Sequence, residues 1–426
     1  MRIIHFTNTY TPVTGGVERS LNTLVDGLED KGHACFLVAP EFKGYAKSTD
    51  RILRVPALKE FNDSAFSVRL PVPGLIDRFV KKIKPDLIHS HHPFLLGDAA
   101  LRMASKHKLP LIFTHHTLYE KYVHYLPVDP DKAGKLAVQV PTDYANFCDA
   151  VIAPSRTIRD LLLDRGVQSP VWEIPTGVDC EQFGSGDRAG FRREHDLPED
   201  ALVIGHLGRL AEEKNLTYLA RAVSGAMKDL SEARFLCVGD GDAGDAIREA
   251  FDSAGCVDRL VMPGRLTGQA AVDAYAAMDL FAFASQSETQ GLVLVEAMAA
   301  GNPVVALDAP GAREAVTHDD AGLLLPGDAS VEDFAHTLVR MAEDLDPTDT
   351  NGCWQTRARD RAHTFNVPAF VEKVLGAYHE AHAQRTQLPP TDRWGQWEDA
   401  RNRLSTEWQI LTRKASAAWD ALKPDG

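Results

Sequence analysis

Short apolar runs alternate with longer helix-like stretches from the first residue of this 426-residue chain through most of its length, and that alternation limits the fold more than any other feature. Arg2 to Phe6, Ala34 to Ala39, Leu87 to Ser90, Leu111 to Thr114 and Val151 to Ala153 read as buried strands, each followed by a turn and a helix. Such repetition implies a parallel sheet with helices on both faces. After a polar, Gly-rich stretch at residues 184–200 the alternation restarts, with strand candidates at Leu202 to Leu207, Arg234 to Val238, Arg259 to Met262, Leu280 to Ala284, Pro303 to Ala306 and Gly322 to Leu325. The expected fold is therefore α/β, with two successive doubly wound domains. Ligands in such sheets bind beyond the carboxyl ends of the strands, so two facing domains would set a substrate cleft between them.

The expected boundaries are residues 1–183 for an acceptor domain, 201–365 for a donor domain, 366–385 for a helix returning to the first domain, and 386–426 for a helical extension. In that extension Trp397, Leu404, Leu411 and Ala418 recur every seven residues, with Trp408, Ala415 and Leu422 four residues after three of them. These positions draw one apolar stripe on a helix. Its expected partner is the protein's own surface or a second subunit, as in a homodimer; the alternative is membrane contact through 390–426.

Bulk properties narrow the function. A net charge of −14 argues against nucleic acid as a partner, because phosphate binding draws on clustered Lys and Arg. The charge is uneven: residues 1–180 hold 22 basic against 20 acidic side chains, leaving 24 against 40 for the rest. The near-neutral first half, with Arg78, Lys81, Lys82 and Lys84, could approach an anionic surface that the second half would avoid, although a solvated helix face reads equally well. Six scattered cysteines with no CxxC pair indicate neither a disulfide framework nor a zinc site. No apolar run approaches the ~18 residues needed to span a bilayer, and the N-terminus lacks a signal-peptide pattern, so a cytoplasmic protein, soluble or peripheral on the inner membrane face, is expected.

The segment SETQGLVLVEAMAAGNPVVA, residues 287–306, carries the most chemistry. It follows a strand and opens a helix near Gly291, so the N–H groups of Gly291, Leu292 and Val293 point outward with the helix dipole behind them, which suits phosphate. Glu288 and Glu296 lie eight residues apart, roughly 12 Å at the helical rise. A retaining glycosidase pair stands only about 5 to 5.5 Å apart and an inverting pair about 6.5 to 9.5 Å. Two glutamates this far apart suit a long ligand gripped at two hydroxyl-bearing ends, such as a nucleotide sugar.

With AMAAGNPVVA after it, the E-x7-E spacing resembles the donor-site signature of the retaining GT-B glycosyltransferases, in particular glycosyltransferase family 4. That resemblance covers roughly residues 1–385 and implies a GT-B fold of two Rossmann-like domains. It implies that Glu288 contacts donor-sugar hydroxyls, Glu296 the ribose, and the amides after Gly291 the diphosphate. Three further segments agree with it in order: GGVERSLNTL, where Gly15 and Gly16 follow the first strand; GRLAEEKN, where Gly208, Arg209 and Lys214 follow the first strand of the second domain; and VGDGD with PGRL, where Gly239 and Leu266 resemble elements lining the base. Arg209 and Lys214 resemble the cations that neutralise the leaving diphosphate, so no metal and no cofactor is expected to be required. At Gln290 the chain departs from an aromatic residue that many members carry.

FTHHTLYEKYVHYLP, residues 113–127, ends a first-domain strand. By the resemblance His116 lies near the donor and the reacting centre. The wider H-T-x-Y-E-x-Y-x-H-Y pattern from His116 to Tyr125 resembles bacterial enzymes that transfer glucose to diacylglycerol, and His115, Tyr119, Tyr122 and His124 are the acceptor-side candidates. The expected activity is retaining transfer of a hexose from a nucleoside-diphosphate sugar, UDP-glucose in first place, to an acceptor hydroxyl, with diacylglycerol or a related lipid as the acceptor class. The alternatives are a GDP-mannose-dependent transferase on a soluble or phospholipid acceptor, a sugar-nucleotide epimerase, a phosphorylase, or a non-catalytic subunit on the same scaffold.

Overall fold

A computed structural model describes residues 1–12, 15–42, 48–56, 73–121, 130–316, 320–345, 354–387 and 395–397. The chain divides into two compact units, Met1–Thr176 with Pro368–Gly426, and Gly177–Val367.

The first unit holds strands β1 (Arg2–Phe6), β2 (Ala34–Pro40), β3 (Ile52–Val55), β4 (Leu87–Ser90), β5 (Leu111–Thr114), β6 (Ala150–Ala153) and β7 (Val171–Glu173). Between them run helices α1 (Gly16–Asp30), α2 (Pro73–Ile83), α3 (Leu96–His107), α4 (Pro130–Asn146) and α5 (Arg156–Asp164). The sheet is parallel, in the order β3-β2-β1-β4-β5-β6-β7. Strand order therefore reverses between β1 and β4, where doubly wound sheets take their ligands. Side chains alternate across this sheet. Ile4, Phe6, Ile88, Phe113 and Val151 point into one core cluster with α2 and α3, while Ile3, His5, His89, Ile112, Thr114 and Ile152 take the other face.

The second unit begins with α6 (Cys180–Gly184) and α7 (Arg188–Glu194), followed by β8 (Val203–Leu207), α8 (Leu216–Ala226), β9 (Arg234–Val238), α9 (Gly244–Ser253), β10 (Leu260–Gly264) and α10 (Gln269–Ala277). It continues through β11 (Leu280–Phe283), α11 (Leu292–Ala299), β12 (Val304–Leu307), α12 (Pro310–Ala315), β13 (Gly322–Leu325), α13 (Val331–Glu343) and α14 (Trp354–His363). Its parallel sheet runs β10-β9-β8-β11-β12-β13, with core clusters on both faces and a reversal between β8 and β11.

Two findings go beyond what the sequence shows. The strands β3 and β7 were not anticipated. The polar stretch 184–200 is no plain linker: Arg192 of α7, 2% exposed, donates to the carbonyl oxygens of Ala277, Pro198, Glu199 and Ala201 and to Asp279, so a cation closes this end of the second unit. The last helix, α15 (Val367–Gln387), lies in the first unit from Pro368 onward, where the Tyr378 hydroxyl meets His89 Nδ1 at 2.7 Å and Lys31 pairs with Glu372. Trp397 is also in that unit's core, edge-on to Tyr144 and Phe147, with its indole N–H donating to Asp98 at 3.0 Å. The first tryptophan of the predicted stripe is thus packed on the protein itself; the remaining stripe positions lie outside the described residues.

Candidate functional site

In the second unit the two strands at the order reversal each release a loop that carries a predicted residue. The loop after β8 turns through Glu212 to Lys214 and closes on Asn215 in the left-handed region, φ 55°. The Asn215 side-chain amide donates to the Ala284 carbonyl at 3.4 Å, and the Ser287 hydroxyl donates to the Glu213 carbonyl at 3.2 Å, tying this loop to the one after β11. These ties bring Lys214 and Glu288 together, and the ammonium donates to the carboxylate. Both are largely shielded, 13% and 25% exposed, so their attraction is stronger than at an open surface. Arg209, half-exposed, pairs in the same way with the buried Glu213.

The glycines of this region serve different ends. A Cβ on Gly239, φ 150°, would lie 1.9 Å from the Gly208 carbonyl oxygen, so the backbones after β8 and β9 can meet only here without a side chain. Gly208 N–H donates to Val238 O, and Leu210 N–H to Asp240 O, completing that seam. Gly291 caps α11 with φ 73°, and the turn before it rests on Gly311, where a Cβ would lie 2.5 Å from Glu288 Cβ. First-turn amides of a helix lack intrahelical acceptors, so Leu292 and Val293 stand where an anion is best received. Glu296, 3% exposed, takes a hydrogen bond of 2.8 Å from the Tyr275 hydroxyl, the partner a buried carboxylate needs. Gln290 is buried beside this turn, and Leu266 packs on the core cluster that includes Val238 and Phe283. His206, at the end of β8, donates from Nδ1 to the Ala282 carbonyl oxygen at 3.2 Å, and burial lowers its pKa to about 4.

In the first unit, Gly15 precedes α1 and leaves room for the Glu18 carboxylate, which an added Cβ would meet at 2.9 Å. Gly16 is exposed, and a Cβ there would meet no described residue within 4 Å. The adjacent His115 and His116 face opposite sides of the sheet. His115, 1% exposed, lies edge-on to Phe113 and Tyr119 on the core side, and burial pulls its pKa to about 3. Tyr122 and His124 lie outside the described residues.

His116 instead joins a set of imidazoles that the sequence reading did not single out. His5 Nδ1 lies 3.1 Å from His91 Nε2, and His91 Nδ1 lies 2.9 Å from His116 Nε2. His89 sits beside them, with Nδ1 on the Tyr378 hydroxyl and Nε2 on the Thr114 hydroxyl, both at 2.7 Å. Burial holds His5 near 3 and His116 near 4, and lowers His89 and His91 as well. His89, His91, Thr114 and His116 line a small cavity closed by Thr176 and Phe370. The signal in the sequence is HSHH at 89–92, whose first and third residues share a face at the end of a strand. His5, His89 and His91 each bring a ring nitrogen within 4.8 Å of the others, the one such grouping among the described residues that could hold a metal. His89 already spends both nitrogens on hydroxyls.

Two family models match the chain in succession: Glycosyltransferase Family 4 over residues 14–182 and Glycosyl transferases group 1 over residues 201–344. The alpha-monoglucosyldiacylglycerol synthase of Streptococcus pneumoniae is 30% identical over 361 residues, 79% of this chain and 81% of that protein. A GDP-mannose-dependent alpha-mannosyltransferase of Corynebacterium glutamicum is 28% identical over 80% of each chain. Among solved structures, sucrose-phosphate synthase from Thermosynechococcus elongatus superposes with a TM-score of 0.72 at 19% identity, covering 90% of this chain and 99% of that one, and two such parallel-sheet units are the GT-B fold. Likeness that runs through both units, and through four-fifths of a relative, places this chain in glycosyltransferase family 4, as a hexosyltransferase.

Proposed function

We propose that the protein moves a hexose from a nucleoside-diphosphate sugar, UDP-glucose foremost, to a hydroxyl of diacylglycerol or a related lipid, with retention at the anomeric carbon. The observation that carries the donor half is the Lys214–Glu288 pair at the order reversal of the second sheet, one turn ahead of the α11 amides. Glu288 takes donor-sugar hydroxyls, Glu296 held by Tyr275 takes the ribose, Gly239 and Leu266 border the base, and Gly208 belongs to the same donor site. Lys214, Arg209 and the amides of Gly291, Leu292 and Val293 receive the diphosphate. Charge that builds on the leaving group is met by fixed cations and dipoles, so this reading calls for no metal and no cofactor. Gly15, Gly16 and His116 serve the donor from the first unit, and His115 and Tyr119 back the acceptor side.

The lipid acceptor rests on the pneumococcal relative and on the His115–Tyr119 segment. The mannosyltransferase relative favours a second reading, GDP-mannose as donor with another acceptor. A thermal-shift screen of nucleotide sugars followed by mass analysis of products decides between them. UDP-glucose stabilisation with a glucosyl-diacylglycerol product is expected; a mannosylated product from GDP-mannose alone would replace the first reading with the second.

A further inference from the structure

Arg192 and Arg54 are both buried, and their charges are met very differently. Arg192 of the second unit, 2% exposed, has an acceptor on each of its three guanidinium nitrogens, and one of those acceptors is the Asp279 carboxylate at 2.8 Å. Arg54 of β3, 9% exposed, meets two neutral acceptors: Nη1 donates to the Pro40 carbonyl at 2.9 Å and Nη2 to the Thr11 hydroxyl at 3.3 Å. The other three of its five N–H groups, Nε–H included, have no acceptor among the described residues. The Tyr10 ring covers one face of the guanidinium, 5.2 Å from its central carbon. No carboxylate among the described residues pairs with Arg54: Asp26 and Glu29 of α1 act on the Tyr10 phenol, and Glu29 is engaged by Arg51. A buried cation is ordinarily paired with an anion, because its desolvation is otherwise uncompensated.

The place in the fold is one that receives ligands. Leu53 and Val55 enter the core cluster, so Arg54 between them takes the opposite face of the sheet. It stands opposite Ala39 in register, near the carboxyl ends of β2 and β3, and the loop after β1 brings Tyr10 and Thr11 to it. Doubly wound sheets take their ligands beyond that edge.

We propose that Arg54, with Tyr10 and Thr11 beside it, forms an oxyanion site of the first unit that takes a phosphate group, carried by a small molecule or by a lipid headgroup. Thr11 Oγ1 accepts from Arg54 and keeps its own O–H to donate, so the site offers more donors than the two oxygens of a carboxylate call for. A phosphate has a third oxygen to use them, and the guanidinium binds it by charge-assisted hydrogen bonds. The bound phosphate supplies the negative charge that Asp279 supplies to Arg192. Neither the donor reading nor the acceptor reading gives these three residues a part, so the site stands or falls without them.

Melting of the full chain in inorganic phosphate, against sodium chloride at matched ionic strength, tests the site. Phosphate also stabilises proteins by exclusion from their surface, which acts alike on wild type and Arg54→Gln, so the difference between the two isolates binding at Arg54. At saturating phosphate the wild-type rise should exceed that of Arg54→Gln by about 2 °C or more. Equal rises overturn the proposal. Should Arg54→Gln fail to fold, hydrogen exchange of the wild type alone decides: phosphate should slow exchange in residues 8–11 and 52–55, and unchanged exchange there overturns the proposal equally. Glycerol 3-phosphate and flotation with phosphatidylcholine vesicles, with and without phosphatidic acid, separate the two sources. An Arg54-dependent rise that half-saturates at lower glycerol 3-phosphate than inorganic phosphate assigns a small phosphate ester, whereas flotation that needs both Arg54 and phosphatidic acid assigns a headgroup.

Discussion

The two sheets reverse their strand order in the same way, yet they place opposite chemistry at the reversal. Along and just beyond β1, β4 and β5 stand imidazoles whose burial suppresses charge; beyond β8 and β11 stand two ion pairs, Lys214–Glu288 and Arg209–Glu213. One topology thus supports a site that works by oriented hydrogen bonds and another that works by fixed charge. The fold supplies the place, and loop composition supplies the chemistry.

Acid should separate the two units most. Four imidazoles of the first unit, His5, His89, His91 and His115, are at most 1% exposed with lowered pKa values, against His206 alone among the described residues of the second. A histidine whose folded pKa lies below its unfolded value of about 6.5 binds more protons when unfolded, so its contribution is complete above about pH 6.5 and is lost as pH falls toward the folded value. Each costs about 1.4 kcal/mol per pH unit in that window. At about pH 5.5 the first unit should lose several kcal/mol and the second about one. Hydrogen exchange followed by segment at both pH values measures this. Equal loss of protection in the two units would break the contrast.

Charge removal should act the other way. Lys214→Ala and Glu288→Ala should each lower kcat by about three orders of magnitude, about 4 kcal/mol, with melting little changed. Because the two side chains hold each other, the double variant should be scarcely worse than either single one, which a double-mutant cycle reads. Activity within tenfold of wild type in either single variant would remove both residues from the donor site. The glycines give a third contrast. Gly239→Ala would drive a Cβ into the Gly208 carbonyl at a positive φ and should cost roughly 3 kcal/mol or more of stability in the second unit. Gly16→Ala meets no described residue, should leave melting unchanged, and should lower turnover only if a phosphate approaches there.

The same contrast explains what could be read in advance. Strands such as Ile3–Phe6 and Val304–Leu307 announce themselves as unbroken apolar runs, whereas β3 carries Arg54 in its middle, bonded to the Pro40 carbonyl, and β7 is a half-buried edge of three residues. In the second unit much of the site lies in one contiguous segment, so Glu288, Gly291 and Glu296 show in sequence. The imidazole line has no such segment: His5 and His91 are 86 positions apart and meet because β1 pairs with β4, and Tyr378 reaches His89 over 289 positions. Strand order made those contacts, and strand order is not written in any one motif. The Lys214–Glu288 pair is hidden for the same reason, since its members are legible singly and the Ser287 and Asn215 ties that bring them together are not.

The smallest expected effect probes whether the second site depends on charge alone. Tyr275 is fully buried on α10, and its hydroxyl donates to Glu296, while its carbonyl accepts the Asn302 side-chain amide, so the ring is fixed at both ends. Removing the hydroxyl leaves the carboxylate in place with its charge intact and deletes only its orientation. Tyr275→Phe should therefore cost about 1 to 2 kcal/mol, read as a roughly tenfold rise in donor KM with kcat nearly unchanged, because ribose binding is alike in ground state and transition state. A matching loss in kcat would mean that Glu296 responds to the reaction itself. An unchanged KM would mean that Glu296 holds no part of the donor, and its hydrogen bond to Tyr275 would then be a way of burying a carboxylate in α11.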